Sequence, residues 1–205
     1  MVTYRNIFWL NTLPFCLVIA LTVYTKFFGS SVGALFFPPF APSEPDIGLL
    51  THTFQILCTV PPIVCAFTFA LLKKIQPRNQ RNRFILCSAL LTGGFLLNEI
   101  FRIHIYLLRA GIPKLMTSFV YALVVLAYAF AFRKLLKSTP YSLLLTGMGL
   151  LFFAILIDSL HLTGDGLPSL LEGVPKLFSE INIVLYFWYA CYFELVRSLN
   201  LQKTT

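Results

Sequence analysis

Long, nearly uninterrupted apolar runs alternate along this chain with short breaks that hold charges, Pro or Gly. A hydrocarbon core takes about 20 consecutive, mostly apolar helical residues per crossing. Segments near 6–28, 48–72, 84–108, 114–136, 141–162 and 168–196 meet that length, so six crossings are predicted. The runs are continuous rather than alternating. That excludes a membrane β-barrel, whose strands show a period of two and need only about 10 residues. The pattern predicts an all-α, six-transmembrane-helix bundle forming a single domain over residues 1–205, with no internal repeat.

Composition sharpens this picture. Hydrophobic residues make up 58% of the chain and charged residues 12%, with a mean hydropathy of +0.80. Such values exclude a soluble domain, a disordered chain and a secreted disulfide scaffold. Cys16, Cys58, Cys65, Cys87 and Cys191 all fall in apolar segments, where a thiol behaves as a small hydrophobe. The net charge of +8 would point to nucleic acid in a soluble protein, but here the cations sit in short clusters between apolar runs. No nucleic-acid module, Gly-rich phosphate loop or paired CxxC accompanies them. The expected partners are membrane lipids, and further copies of the chain or a larger membrane complex, but no nucleic acid.

The clusters set the expected orientation, because short cytoplasmic loops collect Lys and Arg. Lys73, Lys74, Arg78, Arg81 and Arg83 separate spans two and three, and Arg133, Lys134 and Lys137 separate spans four and five. Arg5, Arg197 and Lys203 flank the ends, whereas the opposite side has Lys26, Arg109 and Lys114. Both termini are therefore expected in the cytoplasm. The first run reads as a retained helix rather than a cleaved leader. Its apolar stretch from Ile7 to Tyr24 exceeds the 7–15 residues of a signal core, and Asn11 and Pro14 interrupt it. The Pro- and Phe-rich connection from Gly29 to Ile47 would cap the bundle, lie across the outer interface or serve as a plain connector.

Ionisable side chains inside spans cost roughly 2.5–3.5 kcal/mol on insertion scales, so they face protein, water or a ligand. Span three carries Asn98, Glu99, Arg102 and His104. Span five ends with Asp158 and His161, span six opens with Glu172, Lys176 and Glu180, and His52 starts span two. In the expected topology all of these lie in the outer half of the membrane, which points to a shared outward-facing pocket. Glu172, Lys176 and Glu180 recur every four residues on one helix face, where the lysine can pair with either acid. Pro175 is expected to kink or restart span six beside them. Gly93-Gly94, Gly147 and Gly149 suit close helix approach.

Two classes of chemistry fit these residues. In the first, His52, His104, Asp158 and His161 hold Zn²⁺, whose bound water is activated with Glu99 or Glu180 as the base. Arg102, Lys176, Glu172 and Asn98 would bind a head group or stabilise developing charge. The result would be a metal-dependent membrane hydrolase of a lipid or amide. This complement of three histidines and an aspartate resembles that of the membrane hydrolase superfamily that includes alkaline ceramidases and the progestin and adiponectin receptors. The chain lacks that family's HxxxH in a late helix and its seventh span. In the second class, the same pocket binds or moves a proton, an ion or a small polar solute, as acids paired with bases beside a Pro-broken helix would allow. An accessory or sensory subunit of a membrane complex is the third reading.

Overall fold

The computed structural model describes residues 4–28, 31–36, 47–75, 79–160 and 166–203. These residues form eight α-helices and one 3-10 turn, with no strand among them. In chain order they are α1 (Tyr4–Phe28), η1 (Val32–Phe36), α2 (Leu49–Ile75), α3 (Gln80–Phe101), α4 (Ile103–Arg109), α5 (Lys114–Ala131), α6 (Arg133–Lys137), α7 (Tyr141–Ser159) and α8 (Leu167–Lys203). Four helices are long and apolar enough to cross a membrane: Trp9–Phe28 within α1, then α2, α3 and α7. Their surfaces suit lipid rather than water. Leu13, Phe27, Phe28, Phe67 and Leu145 are exposed, while Thr25, Thr68, Ser88 and Asn98 are buried. Thr22 and Thr25 return their hydroxyls to carbonyls one turn back, as polar side chains in apolar helices do.

Three of the predicted spans change shape. The segment read as one span over 84–108 is α3 and α4, separated at Arg102, whose φ of 50° and ψ of 43° lie in the left-handed region. The segment read as 114–136 is α5 and α6. Its apolar stretch, Met116–Ala131, is shorter than a crossing helix normally needs. The last segment is α8, 37 residues long, or about 55 Å at 1.5 Å per residue. Pro175 neither ends nor restarts α8. Its missing amide deprives the carbonyl one turn earlier of that donor.

The chain divides into two compact units. The first comprises Met1–Phe54 and Leu145–Asn182, and the second Gln55–Leu144 and Ile183–Thr205. In the first, α1 is tied to α8 by the Asn182 side chain, whose Nδ2 donates to Asn11 Oδ1 at 3.0 Å, and by the Phe15–Phe178 edge contact. The described part of the connection expected as a cap, Val32–Phe36, packs on α8. Gly33 lies beside the Ser169 hydroxyl, and Gly173 is covered by the Phe36 ring so closely that a Cβ there would collide with it. A hydrogen bond from the Gly48 amide to the Ala34 carbonyl, 2.8 Å, then leads the chain into α2. The expectation for 37–46 lies outside the described residues.

In the second unit, Phe84, Tyr128 and Phe132 form an aromatic cluster between α3 and the end of α5. Hydroxyl contacts stitch its helices together: Ser88 with Tyr128 at 2.6 Å and Thr139 with Tyr186 at 3.1 Å. The Cys191 thiol donates to Cys65 Sγ at 3.7 Å. Interhelical hydrogen bonds of this kind contribute on average about 0.6 kcal/mol each in membrane bundles.

The glycines separate into two kinds. Gly94 and Gly149 meet nothing within 4 Å, so neither marks the close helix approach expected of it. Gly173 does. Gly173→Ala should therefore lower stability by about 1–3 kcal/mol through overpacking, whereas Gly94→Ala should be neutral or gain up to about 1 kcal/mol of helix propensity. Thermal unfolding of the two purified variants in one detergent checks both signs.

Candidate functional site

The polar residues singled out in the sequence fall into both units. The first unit holds His52, Asp158, Glu172, Lys176 and Glu180, and the second holds Asn98, Glu99, Arg102 and His104. His161 lies outside the described residues.

In the second unit the four residues gather around the break between α3 and α4. Arg102 caps α3 through its amide, which donates to the Asn98 carbonyl. The buried Asn98 side chain reaches across the break, its Oδ1 accepting the His104 amide at 3.2 Å. Asn98 thus satisfies one backbone donor on each side of a residue held at positive φ, a conformation costing a non-Gly residue roughly 1–2 kcal/mol. His104, read as a metal ligand, is half-buried, and its backbone uses the same asparagine. The Glu99 carboxylate is within electrostatic reach of the Tyr121 hydroxyl on α5. Thr117 and Tyr121 share one inward face of α5 with Val125 and Tyr128, while Phe119, Val120, Leu123 and Val124 are exposed.

In the first unit the site is built on α8. Lys176 places its ammonium 4.9 Å from the centre of the Phe54 ring, a cation–π contact. One turn on, Glu180 is 3% exposed and Ser179 1%. The Ser179 hydroxyl has no hydrogen-bond partner among the described residues, although helical serines in apolar settings usually return theirs to a carbonyl. Asn182 is buried and donates both to Asn11 and back to the Phe178 carbonyl. Glu172 is half-buried, as is Asp158 on α7. The side chain of His52 is exposed.

These positions bear directly on the metal hypothesis. Among the described residues, no group of three or more His, Cys, Asp or Glu side chains lies close enough to hold a metal ion. An exposed His52 adds no ligand to a buried centre. The zinc set of His52, His104, Asp158 and His161 therefore finds no geometric support among the described residues.

Sequence reasoning passed over the opposite half of α8. There Glu194 is 4% exposed. Both its carboxylate oxygens accept from Arg81 Nη1, at 2.7 and 2.6 Å. Arg81 stands in the first turn of α3, which Asn79 caps by accepting the Arg81 amide. The ion pair thus binds the start of α3 to α8. A signal for it existed. Glu194 follows Glu180 by two heptads, so the two share nearly one face of α8, and Glu194 is the only acid near a basic rim. Asn182 was also legible, as an amide within an apolar span.

An all-helical chain whose exposed surface is apolar and whose buried helix faces carry acids and amides belongs to the membrane-associated helical class. More particularly, it belongs to the family described as Domain of unknown function (DUF8692), whose family model matches residues 15–191. No curated protein and no solved structure matches the chain.

Glu194 consequently serves stability. Arg81→Met should destabilise the protein by up to about 3 kcal/mol, since a buried carboxylate loses its partner; the partial exposure of Arg81 trims the full effect. Adding Glu194→Gln should recover most of that loss. A double variant as unstable as Arg81→Met alone, measured by unfolding in detergent, would show that the two side chains do not act as a pair.

Proposed function

We propose that this chain is an integral, multi-pass membrane protein with six crossings and cytoplasmic termini. Its outward half of α8 binds a small cation or polar solute, the proton included. The observation carrying this reading is Glu180, a carboxylate 3% exposed in a chain whose outer surface is apolar, beside a buried serine whose hydroxyl is unused among the described residues. Intramembrane acids are expensive, and retaining one beside spare polar capacity suits a group that exchanges its partner.

Six crossings require α5 and α8 to enter the membrane along with the four longer apolar helices. α8 buries its acids on the side that also carries Tyr186, Ala190 and Cys191, and exposes Trp188 and Tyr192. Packing rather than bare hydropathy would hold it there. The basic clusters on one side support the orientation. Single cysteines introduced into a Cys-free background should be labelled from the cytoplasm at Gln80 and Ser138, and from outside at Ser43 and Asp165. The reverse pattern would overturn the orientation.

The binding reading is tested with dicyclohexylcarbodiimide, which attacks protonated carboxyls in apolar surroundings. Glu180 should be the modified residue, with labelling falling as pH rises or as a competing cation is added; Glu180→Gln should abolish it, and Glu194, held by Arg81, should stay unmodified. Inertness of Glu180 at every pH, with no effect of Na⁺, K⁺ or H⁺, would sink the reading. The hydrolase alternative, with zinc on His52, His104, Asp158 and His161, is decided by metal analysis of the purified protein. Stoichiometric zinc, lost in His104→Ala and Asp158→Asn, would establish it in place of the cation site.

A further inference from the structure

The same end of the second unit that holds the Arg81–Glu194 pair has a second property. Lys73 and Lys74 end α2, Arg83 lies in the first turns of α3, Arg133, Lys134 and Lys137 belong to α6, and Arg197 lies on α8. All of these are exposed. The Arg81–Glu194 pair brings the start of α3 to α8. An open groove of about 520 Å³ brings Ser138 and Thr139, directly after the last turn of α6, to the stretch from Phe193 to Leu201 on α8. The lining is divided by chemistry. Arg197, Asn200 and Ser138 are polar and exposed, while Phe193, Val196 and Leu201 are apolar.

We propose that this groove binds the head group and first acyl carbons of an anionic phospholipid. Three features carry the assignment. The volume is that of a small-molecule site, for which roughly 300–1,000 Å³ is usual. The one acid in the lining is cancelled, because both oxygens of Glu194 already accept from Arg81. Arg197 and the α6 cations therefore act on the groove without opposition. Finally, an apolar wall continues from the polar rim, which a free inorganic anion would not use but a diacyl lipid would. The guanidinium of Arg197 suits a phosphate bidentately, the Asn200 amide adds donors to its remaining oxygens, and Lys134 and Lys137 supply attraction at the surface. Positive-inside topology explains why cations occur at this end; it does not require a mixed groove with its only carboxylate neutralised.

The inference rests on the membrane reading above, and its test separates the two. The full-length protein, purified in mild detergent, is mixed with micelles carrying phosphatidylglycerol or phosphatidylcholine, and retained lipid is counted by native mass spectrometry. Phosphatidylglycerol should be retained in preference. Arg197→Ala should reduce its retention about fivefold, the attraction of one cation near the head group. Asn200→Ala should reduce it further when combined. Lys73→Ala, outside the lining, should change retention less than twofold, and Arg109→Ala on α4 not at all. All these side chains except Asn200 are cationic and all are exposed, so folding is preserved and unchanged circular dichroism confirms it. Equal losses for Arg197→Ala and Lys73→Ala would reveal diffuse surface attraction and overturn the site. So would displacement of the lipid by millimolar inorganic phosphate, which would mark an anion site instead. Labelling that placed Ser138 outside would remove the proposed orientation while leaving the micelle measurement to stand or fall alone.

Discussion

A polar group at a depth without water must find its partner inside the protein, and most of this structure follows from how that demand is met. In a soluble domain, a buried serine or asparagine borrows strength from a hydrophobic effect acting around it. Between lipid-facing helices that effect is absent, because lipid tails are as apolar as leucine. Hydrogen bonds and close packing then decide which helix faces meet. The result here is an inside-out distribution, with Phe27, Phe67 and Phe130 outward and Thr68, Ser88, Asn98 and Thr139 inward. Each of the described interhelical polar contacts, from Ser88–Tyr128 to Asn182–Asn11, sits on an inward face.

α8 is where the demand concentrates. Its buried residues run through Glu180, Ile183, Tyr186, Phe187, Ala190, Cys191, Glu194 and Ser198, a stripe with both the helical period and polar content. Such a helix is too charged to enter lipid on hydropathy alone, which is why it is absent from the helices apolar enough to cross unaided. Contacts with neighbouring helices satisfy its polar groups instead. Asn11 on α1, Thr139 before α7, Cys65 on α2 and Arg81 on α3 each answer one polar residue of α8. Asn98 applies the same logic to the backbone. Where α3 stops at Arg102, its carbonyl and side chain take up the amides that the break would otherwise leave without acceptors.

The helical class and four long apolar helices were legible because apolar run length and bounding charges are properties of contiguous sequence. The interruption at Arg102 was not. Nothing in Asn98-Glu99-Ile100-Phe101-Arg102 breaks a helix by propensity, and the left-handed turn depends on a side chain reaching six residues along the chain. At Pro175 the helix does not restart. Proline removes one hydrogen bond, but in a helix held by neighbours on several sides the remaining contacts carry the chain through. Among the candidate residues, sequence singled out Glu180 and Lys176 from their cost and spacing, and passed over Glu194. Its salt-bridge partner is 113 residues away along the chain, a separation that periodicity within one helix does not read. His52 illustrates the remaining difficulty: residues at similar depth need not face the same interior, and only the helix rotation shows that its side chain is exposed.

Glu180 and Glu194 have the same chemistry, nearly the same burial and almost the same face of one helix, so their difference lies wholly in their neighbours. Glu194 is met by a guanidinium held in place at the first turn of a capped helix, a partner that is permanently charged and cannot yield its proton. Such a carboxylate is fixed in place, which makes it a joint. Glu180 shares its stretch of α8 with Lys176, Ser179 and Asn182, and the Ser179 hydroxyl is without a partner among the described residues. On the reading proposed for Glu180, that unused hydroxyl is what separates a binding group from a structural pair. The same contrast explains the charge pattern at the basic end: with Glu194 committed to Arg81, the cations around it remain available to groups outside the chain.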